Sequence, residues 1–279
     1  MLFRHVAAGI VLVCIARAAP ASLEAVLVIV GDQHSAYERA AQFLARIDRL
    51  KEDNAGVPVA VLIDGDAFEY GNAVARRTQG AIDFALLAAL AKRAPTVINL
   101  GNHEPEFFAI AETVRRLEAT GVKVISGNLR IPTTGAAYAP AATPLKLGRH
   151  EAIVAGIGTN WLATYRAAVR PQLDLAEPVT WAKENLPALF KDAALPILLS
   201  HAGVQADRRI LELVPNGTLF TGAHDHLRFV HRADGTTYFH SGSWMEFMSV
   251  ARLHATTDGL RWEVEQVRLG PDDVADTKF

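Results

Sequence analysis

Five times along this sequence an apolar run rich in Val, Ile and Leu stops at a cluster of Asp, Asn and His: GDQH at 31–34, DGDAFEYGN at 64–72, GNHEPEF at 101–107, LLSHAG at 198–203 and GAHDH at 222–226. Short apolar runs of this kind read as buried strands. In a parallel sheet the carboxyl ends of the strands point the same way, so side chains just beyond them converge on one crevice however far apart they are in sequence. That placement restricts the chain to an α/β fold with its polar chemistry gathered along one edge.

The rest of the pattern agrees. Runs at 23–30, 57–63, 96–100, 122–125, 152–157 and 196–199 read as buried strands, and the segments 36–50, 79–93, 107–120 and 179–193 place apolar residues at three- and four-residue spacing, as amphipathic helices do. From about Thr218 short strands follow at 219–221, 227–232, 237–240, 250–255 and 260–268, with Asp234-Gly235 and Asp258-Gly259 as hairpin turns. The expectation is a mostly parallel first half, an antiparallel tail and helices on the outer faces. The stretch 130–149, with Thr, Gly, Ala and Pro and little periodicity, reads as a loop, and the polar segment 271–279 as a frayed tail.

The first 21 residues have Arg4 ahead of an apolar run at 6–16 and then small residues, which is the layout of a secretory signal. The run closes at Arg17, short of the roughly 20 residues a membrane span needs. Residues 22–270 are then one exported domain, periplasmic or secreted, with no stable membrane anchor. The single cysteine, Cys14, lies inside the leader, so the processed chain offers neither a thiolate zinc site nor cysteine catalysis. Loss of Arg4 and Arg17 without any acid takes the formal charge from −2 to −4, and an acidic chain without Lys/Arg clusters is a poor partner for a nucleic-acid polymer.

Of the residues in the five clusters, Asp32, His34, Asp66, Asn102, His201, His224 and His226 are carboxylate, amide and imidazole donors suited to Zn, Mn, Fe, Co or Ni. In a DxH or HxH triplet on extended backbone the outer two side chains share a face and can grip one ion. Seven donors exceed the needs of one tetrahedral ion, and a carboxylate such as Asp66 can bridge two, so two divalent cations fit better than one. Five histidines lie outside these ligand positions and His103: His5, His150, His231, His240 and His254 read as structural, with only His240, in FHSGSW, near the pocket. Arg76 and Arg77 follow the GD loop, and Trp161, Tyr165 and Trp244 fall near predicted strand ends, where an aromatic side chain can stack on a base but reads more readily as core or rim packing.

The order DxH, GD, GNHE, H, GxHxH resembles the calcineurin-like metallophosphoesterases, and ISGNLRIPTTG together with PILLSHAGVQADRRILELVPNGTLFTGAHDH resembles the catalytic domain of their 5′-nucleotidase branch. The resemblance spans roughly 23–268 and implies a four-layer αββα sandwich of two mixed sheets flanked by helices. It implies one metal on Asp32, His34, Asp66 and His226, and a second on Asp66, Asn102, His201 and His224, with Asp66 bridging. It makes His103 the unliganded catalytic histidine. Glu106 stands where the branch places the aspartate that orients this histidine, one methylene longer and preceded by Pro105, and Ala223 replaces a glycine. Two such cations would activate a shared water and clamp phosphoryl oxygens for in-line attack.

The implied activity is hydrolysis of a small phosphate ester, a monoester such as a nucleotide. The alternatives are a phosphodiesterase, another ester hydrolase on the same metal core, or a metal- or partner-binding scaffold without turnover. Nucleotide-binding members of the branch carry a second, C-terminal domain that holds the base. The chain ends before one, so a separate partner supplying substrate specificity is a further expectation.

Overall fold

The computed structural model describes residues 22–279 apart from Asp234; the expected leader at 1–21 and the first residue of the Asp234-Gly235 turn lie outside the described residues. In chain order the elements are β1 (Ser22–Val30), α1 (Ala40–Asp53), β2 (Val59–Asp64), α2 (Ala73–Thr78), α3 (Ala81–Arg93), β3 (Thr96–Asn99), α4 (Ile110–Ala119), β4 (Lys123–Ile125), β5 (Leu129–Arg130), β6 (Ala142–Leu147) and β7 (His150–Gly158). They continue with β8 (Asp174–Leu175), α5 (Pro178–Leu189), β9 (Leu195–His201), α6 (Val204–Ile210), β10 (Leu219–Gly222), β11 (Arg228–Ala233), β12 (Thr236–Ser241), β13 (Phe247–Thr256) and β14 (Gly259–Arg268). No helix among the described residues is long and apolar enough to cross a membrane.

Two six-stranded sheets result, in the orders β14-β13-β1-β2-β3-β4 and β11-β12-β10-β9-β7-β6. Each has four parallel strands: β1 to β4 in the first, and β7, β9, β10 and β12 in the second. The antiparallel strands lie at the margins.

From Ala25 onward every residue of β1 is buried, yet the strand still sorts its side chains by parity. Val26, Val28 and Val30 join the core under the helices, against Phe43, Leu44 and Ile47 of α1 and Leu87 and Leu90 of α3. Ala25, Leu27 and Ile29 face the other way, into a core between the sheets that includes Val154, Ile197, Leu199, Leu219 and Phe239. A third core packs Ile157, Leu198 and Phe220 against Trp181 and Leu186 of α5 and Ile210 of α6. Three cores make four layers, αββα, as the resemblance implies, and each Val, Leu or Ile buried this way contributes about 1.5–3 kcal/mol.

Several expectations are corrected. The stretch 130–149 contains β6, an edge strand that buries Leu145 and Leu147 and tolerates Pro144 because one of its sides has no ladder to complete. The tail is not purely antiparallel: β10 and β12 run parallel within the second sheet, because β11 carries the chain back between them. The short helices α2 and α6 have too few turns to show a periodicity. The segment after Gly270 is tied down rather than frayed: the Asp276 amide donates to the Ala41 carbonyl (2.9 Å) and its carboxylate pairs with Arg93.

At the end of β3, the buried Asn99 joins the two sheets. Its amide donates to Asp64 Oδ1 (3.2 Å) in its own sheet and to the Ile157 (2.9 Å) and Leu199 (3.2 Å) carbonyls in the other. Asn99→Leu keeps the volume but leaves those acceptors buried without a donor, so it is expected to destabilise the fold by about 2–4 kcal/mol. A urea titration checks this as a lower midpoint at unchanged slope; an unchanged midpoint would show that the sheets are held by packing alone.

Candidate metal centre

The sequence-predicted site residues come together where the carboxyl edges of the two sheets meet. The first sheet supplies Asp32 and His34 after β1, Asp66 after β2, and Asn102 and His103 after β3, with Glu106 in the one-turn 3₁₀ helix Glu104–Glu106. The second supplies His201, the last residue of β9, and His224 and His226 after β10. The chain turns sharply at each point. Asp32, His34, Asp66, His224 and His226 have φ of 49°, 48°, 54°, 78° and 56°, a left-handed region that Asp and His adopt more readily than bulkier residues.

Hydrogen bonds hold these turns in register: Asp32 N to Gly65 O (3.1 Å), His34 N to Asp66 O (2.9 Å), and His224 N to Asp32 Oδ2 (3.0 Å). Ala223 is buried with no left-handed strain, so its methyl group is accommodated.

Two donor groups stand side by side, Asp32–His34–His226 and Asp66–His201–His224, and in each the ligand atoms lie within 4.8 Å of one another. Within the second, His201 Nε2 is 3.0 Å from Asp66 Oδ2, and it lies 3.8 Å from Asp32 Oδ1 of the first. His201 Nδ1 contacts the Asp64 carbonyl at 2.7 Å, which can only accept, so Nδ1 carries a proton and Nε2 is the atom turned to the carboxylates. His34 Nδ1 lies 3.3 Å from Glu69, leaving its Nε2 to face His226 Nε2 at 2.9 Å. Two imidazole nitrogens that close need a proton or a cation between them. Asn102 Oδ1 is a buried acceptor with no hydrogen-bond partner among the described residues. An outer partner on one nitrogen and an inward-facing lone pair on the other is how a metal-binding histidine is arranged, so this donor set fits divalent cations.

The charges carry the same signature. Burial pushes the Asp32 carboxyl up to about 6. Burial acts on Asp66 in the same direction, but the charges of His201, His103 and His34 overcome it and hold Asp66 below the usual carboxylate range. His201 is desolvated, yet Asp66, Asp32 and Asp64 raise its pKa well above the ordinary imidazole value. His224, lowered to about 4 by burial and the His201 charge, and His226, lowered by burial and His34, keep their lone pairs. The centre is a buried negative field that draws in positive charge.

At its margin His103 Nδ1 lies 3.0 Å from Glu106 Oε1, while Nε2 turns to Asp66 Oδ2 at 3.9 Å. The three-residue spacing on a 3₁₀ turn sets both side chains on one face, and the extra methylene of Glu106 is taken up by its second oxygen, which accepts the Tyr70 amide. Burial works against a charge on His103, but the Glu106 hydrogen bond and the charges of Asp66, Glu106 and Glu69 raise its pKa to about 9.

Two acids that sequence reasoning did not single out also belong here, and both lie inside the motifs. Glu69, the acid of AFEYGN, lies between His34 and His103, 3.3 and 3.5 Å from their Nδ1 atoms. Glu104, the acid of GNHE, is buried and accepts the amides of Asp66 (3.0 Å), Ala67 (2.7 Å) and Gly101 (2.6 Å), fastening two of the loops together. His240 stays structural, meeting Tyr238 (2.8 Å) and Asp207 (3.3 Å). Tyr165 is buried, whereas Trp161 and Trp244 are exposed at the surface, Trp244 with its ring against those of His34 and His226.

Residues 25–228 match the family model of the calcineurin-like phosphoesterases. Among solved structures the fold is similar to a 5′-nucleotidase precursor from Thermus thermophilus (18% identity, 90% of this chain, 56% of that one, TM-score 0.73). It is also similar to the NAD nucleotidase of Haemophilus influenzae (15%, 88% and 56%, 0.70) and to a sulfate thiohydrolase of Thermus thermophilus (14%, 93% and 59%, 0.78). The chain thus spans a little over half the length of each. A search of curated proteins returns no match.

A ligand that binds only the folded state raises its stability by mass action. Millimolar Zn²⁺ or Mn²⁺ added to chelator-treated protein is expected to raise the melting temperature by roughly 5–10 °C. Asp66→Asn, which removes the carboxylate charge of the second donor group, should lose most of that rise; an equal rise in the variant would separate Asp66 from metal binding.

Proposed function

The chain belongs to the calcineurin-like phosphoesterase family, and we propose that within it the protein hydrolyses small phosphate esters, monoesters such as nucleotides, at a centre of two divalent cations. The observation that carries this reading is the pair of adjacent donor groups with a histidine–carboxylate dyad at their edge. One cation is assigned to Asp32, His34, Asp66 and His226, and the other to Asp66, Asn102, His201 and His224, with Asp66 shared. When bound, the cations supply Lewis acidity toward the phosphoryl oxygens and toward the attacking water.

The chain's own residues do the rest. Before any cation is bound, and against the effect of burial, the Glu106 contact and the charges of Asp66, Glu106 and Glu69 raise the pKa of His103 to about 9, which favours its protonated form. Glu106 holds the Nδ1 proton, so the Nε2 proton is the one presented toward the donor groups, where it can neutralise charge on the phosphoryl group or pass to the leaving oxygen. Glu104 supports the chemistry from behind by keeping the Asp66 and Gly101 loops at a fixed separation. The leader-like sequence at 1–21 supports action outside the cytoplasm, in the periplasm or beyond it.

Hydrolysis of a panel of phosphomonoesters and diesters before and after chelation, with metal content read on the same sample, tests the proposal. Chelator-sensitive turnover with two metals per chain is the expected result, and bound metal with no turnover on any ester would count against it. His103→Asn is expected to retain both metals and to lower kcat by roughly 10² to 10⁴-fold; full turnover in this variant would remove the histidine from the chemistry.

A further inference from the structure

Trp244 occupies a position that packing does not explain. The residue is 47% exposed, although a tryptophan on a folded surface is ordinarily well covered. Its backbone is left-handed, with φ of 50°, and Met245 follows at 51°. Large side chains avoid this conformation, and such strain persists only where the surroundings impose it.

The surroundings here do impose it. The Trp244 amide donates to the carbonyl of Asp32 (2.8 Å), Arg39 donates to the Trp244 carbonyl (3.2 Å), and the Met245 side chain is buried in the helix-side core. The loop between β12 and β13 is therefore anchored to the turn that carries Asp32, and it holds one indole out at the mouth of the site. That indole lies 4.8 Å from the His226 ring, edge to face, and 5.7 Å from the His34 ring.

From this geometry we infer that Trp244 is a specificity-determining residue, the stacking surface for a planar aromatic leaving group such as a nucleoside or an aryl alcohol. The inference rests on the phosphoester-hydrolase reading above and names the substrate class for the same site. An aromatic ring fixed against two of the proposed ligands stands next to any phosphoryl group bound there, and with the His34 and His226 rings in place the residue still keeps much of its surface open. An indole held by its backbone loses little freedom when a second ring stacks on it, which makes it a strong platform for flat groups.

The test compares three esters, adenosine 5′-phosphate, 4-nitrophenyl phosphate and glycerol phosphate, on the unaltered protein, Trp244→Ala and Trp244→Phe. Trp244→Ala is expected to raise KM about tenfold for the two aromatic esters, to leave glycerol phosphate within about twofold, and to be largely rescued by Trp244→Phe. Loss confined to the nucleotide would narrow the class to nucleosides, and loss confined to the nitrophenyl ester would narrow it to simple aryl groups. Equal loss on all three would overturn the inference by making Trp244 a buttress for His34 and His226, and unchanged KM throughout would overturn it too.

Calorimetric titration with adenosine, which has no phosphate to hydrolyse, separates this inference from the catalytic reading. Binding by the unaltered protein that is lost in Trp244→Ala supports the stacking surface even if no ester turns over. With 4-nitrophenol titrated alongside as the aryl probe, absence of binding of both compounds by the unaltered protein, or binding by Trp244→Ala equal to that of the unaltered protein, rejects it.

Discussion

Asp32, Asp64, Asp66 and Glu104 are all but completely buried within a few residues of one another in space. A buried carboxylate without compensation costs several kcal/mol, so the surroundings are arranged to supply compensation. Glu104 takes three backbone amides, Asp64 takes the Ser200 amide and the Asn99 side chain, and Asp32 takes the His224 amide. Asp66 keeps an oxygen for the centre and receives the His103 amide on the other. What backbone donors leave uncompensated falls to imidazolium or to metal. A metal bound at such a centre would contribute to folding stability as well as to chemistry.

The sites of closest approach follow from the same requirement. A Cβ on Gly65 would stand 2.6 Å from His201 Nδ1, and one on Gly101 would overlap Asp66 Oδ1. At these two points glycine is what lets the loops of β2 and β3 come close enough for Glu104 to bridge them. The left-handed turns at the candidate donors are the backbone counterpart of that closeness: a strand that must stop and present a side chain sideways within two residues has few other conformations open to it.

Behind the candidate donors runs a second polar chain. Ser200, next to His201, donates to Asp207 (2.5 Å), which also receives the Tyr238 hydroxyl (2.9 Å), and Tyr238 meets His240 (2.8 Å). Burial raises the Asp207 pKa, and its hydrogen bonds to His240, Ser200 and Tyr238 offset part of that. Gly222 passes so near His240 and Asp207 that a side chain would collide with both. The network ties β9, β12 and α6 together, with Gly222 of β10 packed against it, just below His201 and the turn carrying His224 and His226. The loops that carry the candidate donors are thus held by hydrogen bonds one layer away from the centre as well as by the cores.

Sequence alone determined the strands that carry Asp32, Asp66, Asn102, His201 and His224, because a strand buried on both faces is written as an unbroken apolar run and its stop is written in polar letters. It also determined the candidate donors, since each sits within a few residues of such a stop. It did not reveal β6, whose edge position asks little of its composition, or the parallel pairing of β10 with β12, which depends on where a return strand finds room. Nor could it separate Trp244, out in solvent beside His34 and His226, from Tyr165, buried in the core, because both are aromatic residues near strand ends. Glu69 and Glu104 lay within the quoted motifs, but their partners come from other loops. Those distinctions belong to tertiary structure, for a residue's neighbours across two packed sheets are set by topology and register, which local spacing along the chain does not encode.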